Sequence, residues 1–257
     1  MDFATWRNHR LAELTAADGW LSLVGLFWLS SGEQTLGSAA DNGLVLPVGP
    51  AHWGTLTLGD DIRWQEAGKT AEILQTDTGA APSVIRAGEV SFILIERDGQ
   101  IALRLRDNTT AARQQFKGIA TFDYATTWQL EARWEASPQT IEVATITGGL
   151  ETRQVSGRAW LTHEGKEYPL TPLDENDQGL FFVFADATSG KKDGNGSYGG
   201  GRFLWAPPPE NGRLLLDFNR AYNPPCAFTP YATCPLAPPE NRLPFAVTAG
   251  EKYSPIP

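Results

Sequence analysis

From residue 43 onward, hydrophobic side chains recur at every second position in short runs. Leu56 and Leu58 alternate with Thr55 and Thr57. Ile101, Leu103 and Leu105 alternate with Ala102, Arg104 and Arg106. Trp128, Leu130, Ala132 and Trp134 alternate with Gln129, Glu131, Arg133 and Glu135. An extended backbone points successive side chains to opposite faces, so each run is a strand with one buried face. Further strands are expected at Leu44–Val48, Ala71–Thr76, Ile141–Ile146, Leu180–Ala185, Gly201–Trp205 and Leu214–Phe218. Between the runs Val90–Glu96 and Ile101–Leu105 stands Asp98-Gly99. That pair supplies the positive φ angles of a two-residue hairpin turn.

Helix is sparse. Residues 2–15 predict one short helix, with Phe3, Trp6, Arg10 and Leu14 on one side. The run Leu21–Leu29 is buried whichever conformation it takes, because periodicity does not separate helix from strand there. The fold class is therefore mainly β: two packed antiparallel β modules, sandwich- or barrel-like, with a short N-terminal helix and a Pro-rich C-terminal loop. The polar, strand-poor stretch Asn108–Gln115 sets the boundary. The expected division is an N-terminal helix at 1–17, an N-terminal β module at 18–107 and a C-terminal β module at 116–257.

Composition narrows the function classes. A chain of 257 residues buries roughly 70–75% of its unfolded surface and needs neither disulfide nor metal to fold. Lys and Arg number 21 against 30 Asp and Glu, a net charge of −9. This argues against nucleic acid or an anionic membrane as partner, since both demand clustered positive charge. The most apolar run, Gly19–Leu29, is far short of the ~20 residues of a membrane span. It also makes a poor secretory leader, because Asp2, Glu13 and Asp18 offset Arg7 and Arg10 before it. A cytoplasmic location is expected, with Cys226 and Cys234 as thiols by default. Spacing alone leaves a bridge between them open. His9, His52 and His163 are scattered and no C-x-x-C or H-E-x-x-H occurs, so no metal and no cofactor is expected.

Twelve of the 18 prolines lie in 206–257, which predicts an ordered loop there, since proline fixes φ and lowers the entropy lost on ordering. The charges of this segment balance, which leaves Arg213, Arg220 and Arg242 available to a negative ligand. Within it, Leu216–Phe228 (LDFNRAYNPPCAF) is the densest in polar groups held by proline and aromatics. Asp217 and Asn219 are expected on one strand face, with Tyr222 and Asn223 before a rigid Pro-Pro, a pattern suited to a preorganised pocket.

Upstream, Asp186-Ala-Thr-Ser-Gly190 follows a hydrophobic strand and reads as a site edge or as a turn. Gly194–Gly199 fits G-x-G-x-x-G. A dinucleotide fingerprint needs a helix to open there, whereas a strand and Pro207-Pro-Pro follow. The motif is read as a connection between strands or a lid.

The expected function is the binding of a small polar or anionic molecule by the C-terminal module. Tyr198, Arg202, Asn219, Tyr222 and Asn223 are the candidate contacts, with Arg202 as a forked donor. One alternative is a hydrolase using Asp186 and Asp217 as paired carboxylates, or Cys226 as nucleophile with His52 or His163 as base. Whether the chain is an enzyme stays open, as does its oligomeric state. The other alternative is a protein-interaction β-sandwich at 18–107. The tryptophans are read as mostly core.

Several segments resemble one family. GRFLW at Gly201–Trp205, LDFNRAYNPPCAFTPYATCPLAPPENRLPF at Leu216–Phe245 and AGEK at Ala249–Lys252 are similar to family 1684 of domains of unknown function. GWLSLVGLFWL and the Gly37-Ser38 turn fit it too. The resemblance implies no activity or cofactor. The family pattern has threonine, as in T-Y-G-x-G-R, where this chain has Ser197, and the loop Lys191–Gly196 looks lengthened. A weaker similarity, at Leu36–Ser38, Asn42–Leu46 and His52–Leu56, is to the opening of forkhead-associated β-sandwiches. Their phosphate-reading arginine is Ser38 here, and Pro50 and Ala51 precede His52.

Overall fold

A computed structural model describes residues 1–177 and 179–254. The chain divides into two compact units, one of His9–Phe116 and one of Met1–Asn8 with the chain from Lys117 onward. The first helix, α1 (Phe3–Thr15), spans that division.

The N-terminal unit holds β1 (Leu23–Trp28), β2 (Gly32–Gly37), β3 (Leu44–Val45), β4 (Gly54–Leu58), β5 (Ile62–Glu66), β6 (Glu72–Ile73), β7 (Ile85–Ala87), β8 (Val90–Arg97) and β9 (Gln100–Asp107). They form two sheets, ordered β1-β9-β8-β7 and β3-β2-β4-β5-β6. Leu36, Trp53, Leu56 and Trp64 from the second meet Phe92, Leu94, Leu103 and Leu105 from the first in one core. Phe92 and Leu94, and Leu103 and Leu105, are alternate positions of their strands, as the period of two requires, and Trp53 stands just before β4. The β8–β9 turn is the one foreseen: Arg97 faces Gln100, and Asp98 and Gly99 take φ of 51° and 72°.

The ambiguous run at 21–29 resolves as a 3-10 turn over Trp20–Ser22 leading into β1. The boundary stretch contains a short helix, α2 (Ala111–Gln114), whose first turn is capped by Thr110 Oγ1 accepting from Arg113 N at 3.2 Å.

The C-terminal unit holds β10 (Gln129–Ala144), β11 (Leu150–His163), β12 (Lys166–Leu170), β13 (Asp174–Asn176), β14 (Gly179–Phe184), β15 (Arg202–Ala206) and β16 (Arg213–Asp217). Its sheets are ordered β12-β11-β10-β16 and β13-β14-β15. Ala132, Ala159, Leu161, Leu214 and Leu216 from one pack against Leu180, Phe182, Phe184 and Leu204 from the other. The long hairpin β10–β11 skips register between Ala136 and Gln139. Pro138 lies at that skip, where its missing N–H costs no ladder bond. Pro169 is tolerated because β12 is an edge strand. The Pro-rich segment continues the core inward with Phe218, Ala221, Leu243, Val247 and Ala249.

Three readings need correction. Trp53 and Trp64 are fully buried, but Trp28 is 43% exposed and the remaining expected core tryptophans are only half-buried. An indole is large and is often covered only in part: Trp128 and Trp134 pack against the core while partly exposed, and Trp160 carries Arg133 and Arg158 over its ring. The last strand stops at Asp217, one residue early, because its carboxylate caps a 3-10 turn over Phe218–Arg220. Finally, two C-terminal arginines are engaged. Arg213 pairs with Glu131, and Arg220 reaches Asp217 at 3.3 Å and Met1 O at 2.7 Å. Charge balance within a segment says nothing about partners brought in by pairing with distant strands.

Candidate functional site

Arg202 opens β15 opposite Phe184, the last residue of β14. The chain turns into it through Gly201, whose φ is +99° and where a Cβ would lie 2.7 Å from Phe184 O, so only glycine fits. The Arg202 side chain is fully buried. Nη2 donates to Asp186 Oδ2 at 2.7 Å and to Val247 O at 2.9 Å. Nη1 donates to Ala249 O and, at 3.4 Å, to Glu251 O. Phe184 and Phe122 flank the guanidinium at 5.2 and 5.8 Å. Burial pushes its pKa down, opposed by Asp186 and Glu251; a guanidinium nonetheless stays charged in proteins.

Both carboxylates of this knot are fixed in turn. Asp186 Oδ1 accepts from Thr188 N at 2.7 Å and Val247 N at 3.2 Å. Glu251 is 2% exposed and accepts from Asn223 N at 2.7 Å. Asn223 Nδ2 donates to Lys252 O at 2.9 Å. Gly250 takes φ +76°, and a Cβ there would lie 2.4 Å from Ala221 O. The knot therefore ties the strap 247–252 to the ends of β14 and β15. Asp186 serves at once as turn former and as ion-pair partner, which accounts for its place after a hydrophobic strand.

Asp217 and Asn219 form a separate constellation. Asp217 Oδ1 accepts from Asn219 N at 3.2 Å and Nδ2 at 2.9 Å; Oδ2 accepts from Gln129 Nε2 at 3.2 Å. Asn219 also binds both backbone groups of Ala125, Oδ1 accepting at 3.0 Å and Nδ2 donating at 2.9 Å. Leu214 and Leu216 face the core, so Asp217 projects from the opposite side of its strand. Asp186 points into the buried knot. Tyr222 packs edge-on against Phe203 at 5.7 Å and Trp6 at 6.4 Å.

Tyr198 belongs to a third group, made where the glycine loop folds back on the strap. Gly190 N donates to Ser197 O and Tyr253 N to Gly196 O. Lys252 Nζ donates to Asn195 Oδ1 at 3.2 Å and lies 4.9 Å from the Phe122 ring centre. The rings of Tyr198 and Tyr253 meet edge-on at 5.3 Å. Tyr198 is half-buried. Burial first, then the thiols of Cys226 and Cys234 and the Tyr253 phenol, push its pKa up to about 12. No helix follows Gly199; β15 does, as the sequence implied. Ser197 is fully buried, its Oγ sharing a 2.8 Å hydrogen bond with Thr188 Oγ1. It is a loop-closing residue here.

Cys226 and Cys234 are both thiols; Cys226 is half-buried and Cys234 buried. His163 lies flat between Phe245 and Trp128, at 3.9 and 5.9 Å. His52, in the N-terminal unit, is exposed and 3.8 Å from Asp41. Ser38 Oγ donates to Gly49 O at 3.0 Å. Among the described residues, no group of three or more His, Cys, Asp and Glu is placed to hold a metal ion, and no helix is long and apolar enough to cross a membrane.

Sequence reasoning missed Glu251 and Asn241 as organising residues. Asn241 is fully buried: Oδ1 accepts from Thr171 N at 2.8 Å, and Nδ2 donates to Thr171 O at 2.7 Å and Val183 O at 2.9 Å. The available signal was a polar residue framed by proline or glycine in PPEN and AGEK.

The model of a family described as "Protein of unknown function (DUF1684)" matches residues 114–252. The chain belongs to this family. The match spans the knot, the glycine loop and the strap of this DUF1684 protein. A solution NMR structure of the uncharacterized protein from gene locus rrnAC0354 of Haloarcula marismortui is 30% identical over 54% of this chain and 78% of that one, with a TM-score of 0.43. No curated protein matches.

Proposed function

We propose that the C-terminal unit is a binding module for a small polar or anionic molecule, acting in the cytoplasm, and that its contact surface is the rim around Tyr198. The Arg202 knot is the frame of this surface. One observation carries the reading: the glycine loop is held against the strap by a backbone bond, which sets Tyr198 against Tyr253 and Lys252 against Asn195 of the same loop. A phenol whose pKa lies near 12 stays a neutral hydrogen-bond donor throughout the physiological range. Lys252 adds a positive charge beside it. Two donors and a cation on a pinned loop suit a carboxylate or carbonyl acceptor.

Arg202 and Asn223 hold the strap that carries this rim, and Asn219 braces Ala125 elsewhere; side-chain donors of all three already serve main-chain acceptors. Less favours hydrolysis. Asp186 has no exposed side-chain surface, and a general base must reach the proton it removes.

The test is a thermal-shift screen of the full chain against carboxylate, phosphate and sugar metabolites, with each hit repeated on Tyr198→Phe and Lys252→Ala. A stabilising ligand whose shift is lost in both variants supports the rim. A ligand whose shift survives both moves the site elsewhere.

A further inference from the structure

Two thiols, Cys226 and Cys234, are brought together by the Pro-rich segment. Cys226 lies in a 3-10 turn, Pro225–Ala227, closed by Ala227 N donating to Pro224 O at 2.9 Å. Its own backbone N–H donates to Cys234 Sγ at 3.2 Å. With that contact and ordinary covalent lengths, the two α-carbons lie at most about 7.5 Å apart, against the roughly 4.4–6.8 Å of disulfides. A second observation agrees: both sulfurs act on the same Tyr198 phenol.

The backbone is fixed on both sides of the pair. Ile146 N donates to Cys234 O at 2.9 Å and Leu236 N to Ala144 O at 2.8 Å, which pins Cys234 to the β10–β11 hairpin. Asn223 pins the approach to Cys226 through Glu251 and Lys252. The thiols therefore do not diffuse apart, and closing them needs side-chain rotation with a small shift of the turn.

We propose that Cys226 and Cys234 are a redox-active pair that closes to a disulfide on reaction with a peroxide. Their exposures assign the order. Cys226 is half-buried and Cys234 buried, so Cys226 is the more accessible residue of the two. The Cys226 thiolate attacks one peroxide oxygen; the S–O bond forms, the O–O bond breaks, and the leaving hydroxide takes up the thiol proton as water. The Cys234 sulfur then attacks the sulfenic sulfur of Cys226. The S–S bond forms, the S–O bond breaks and a second water leaves with the Cys234 proton. Two thiols give up two electrons, and one hydrogen peroxide accepts them. This does not depend on the ligand reading of the Tyr198 rim.

The test treats the folded full-length chain with hydrogen peroxide, then alkylates and measures intact mass. Closure predicts loss of two hydrogens, loss of both alkylation sites and full recovery with dithiothreitol. The short closed loop also predicts a melting temperature raised by roughly 5 °C. Cys234→Ser should stop at a sulfenic acid on Cys226 that a dione reagent captures, whereas Cys226→Ser should take up no such label. The wild-type mass result stands even if a variant fails to fold. Two alkylatable thiols after peroxide, or a sulfinic acid on Cys226 with Cys234 still alkylatable, overturns the proposal.

Discussion

In the N-terminal unit the deepest large side chains are rings. Trp53 and Trp64 each meet Phe92 edge-to-face at 5.2 Å and meet each other at 6.2 Å. Neither indole N–H has a hydrogen-bond acceptor among the described residues. In the C-terminal unit the corresponding depth is held by Arg202 between the Asp186 carboxylate and three strap carbonyls, those of Val247, Ala249 and Glu251. Apolar packing depends on volume and tolerates repacking if volume is kept. A buried ion network depends on every partner, since removing one leaves another charged and unsolvated. The difference teaches where each unit is fragile: the first to loss of bulk, the second to loss of a single donor.

The sharpest test is Arg202→Met, similar in length but uncharged. It should destabilise the C-terminal unit by about 3–5 kcal/mol by leaving the buried Asp186 carboxylate without its ion-pair partner. Urea unfolding reads the loss, and hydrogen exchange at Val247, Ala249 and Glu251 locates it. A change below about 1 kcal/mol would erase the contrast. In the N-terminal unit, Phe92→Ala should cost about 3–4 kcal/mol through the cavity between two indoles, whereas Phe92→Leu should cost markedly less. If both cost the same, shape matters there more than volume.

Asn241→Ala should cost about 2–3 kcal/mol, since it leaves Thr171 N–H and two carbonyls without their partner in a dry site. Equal stability would mean that water replaces the amide. The smallest effect concerns Asp77. Burial works against its charge, but Arg97 at 2.8 Å and the Glu96 N–H hold its pKa below the usual 3.8. A depressed carboxylate adds stability that is present above its unfolded pKa and is lost as pH falls through the folded one. Asp77→Asn should therefore be less stable than wild type at neutral pH by up to about 1 kcal/mol, given a partly exposed pair. The gap should close as pH falls below the unfolded value of 3.8 and through the lower folded one. A gap that persists in acid would assign the effect to packing.

The strand at 54–58 was legible from its alternation. The one buried face expected for 101–106 is corrected: Ile93, Ile95 and Ala102 form a second buried cluster behind Phe92, Leu94, Leu103 and Leu105, so 90–97 and 100–107 are covered on both faces. The Asp98-Gly99 turn was legible because its backbone angles restrict residue choice. Arg202 reads as a forked donor to a ligand, and its environment is not readable from the sequence. A guanidinium that meets solvent and one that meets three carbonyls carry the same letter. For Glu251 the glycine before it in AGEK marks the position, but not that its carboxylate reaches Asn223 across a long segment of chain.

Alternation, turn chemistry and proline content thus fixed, from the residues alone, that this chain is built of antiparallel strands and closes with a stiff C-terminal strap. These signals are local, set by the dihedral preferences and side-chain period of a few neighbours. Only the tertiary structure decided which polar groups are frame and which are surface. That choice depends on partners dozens of residues away, and on whether burial leaves a group any water to bind.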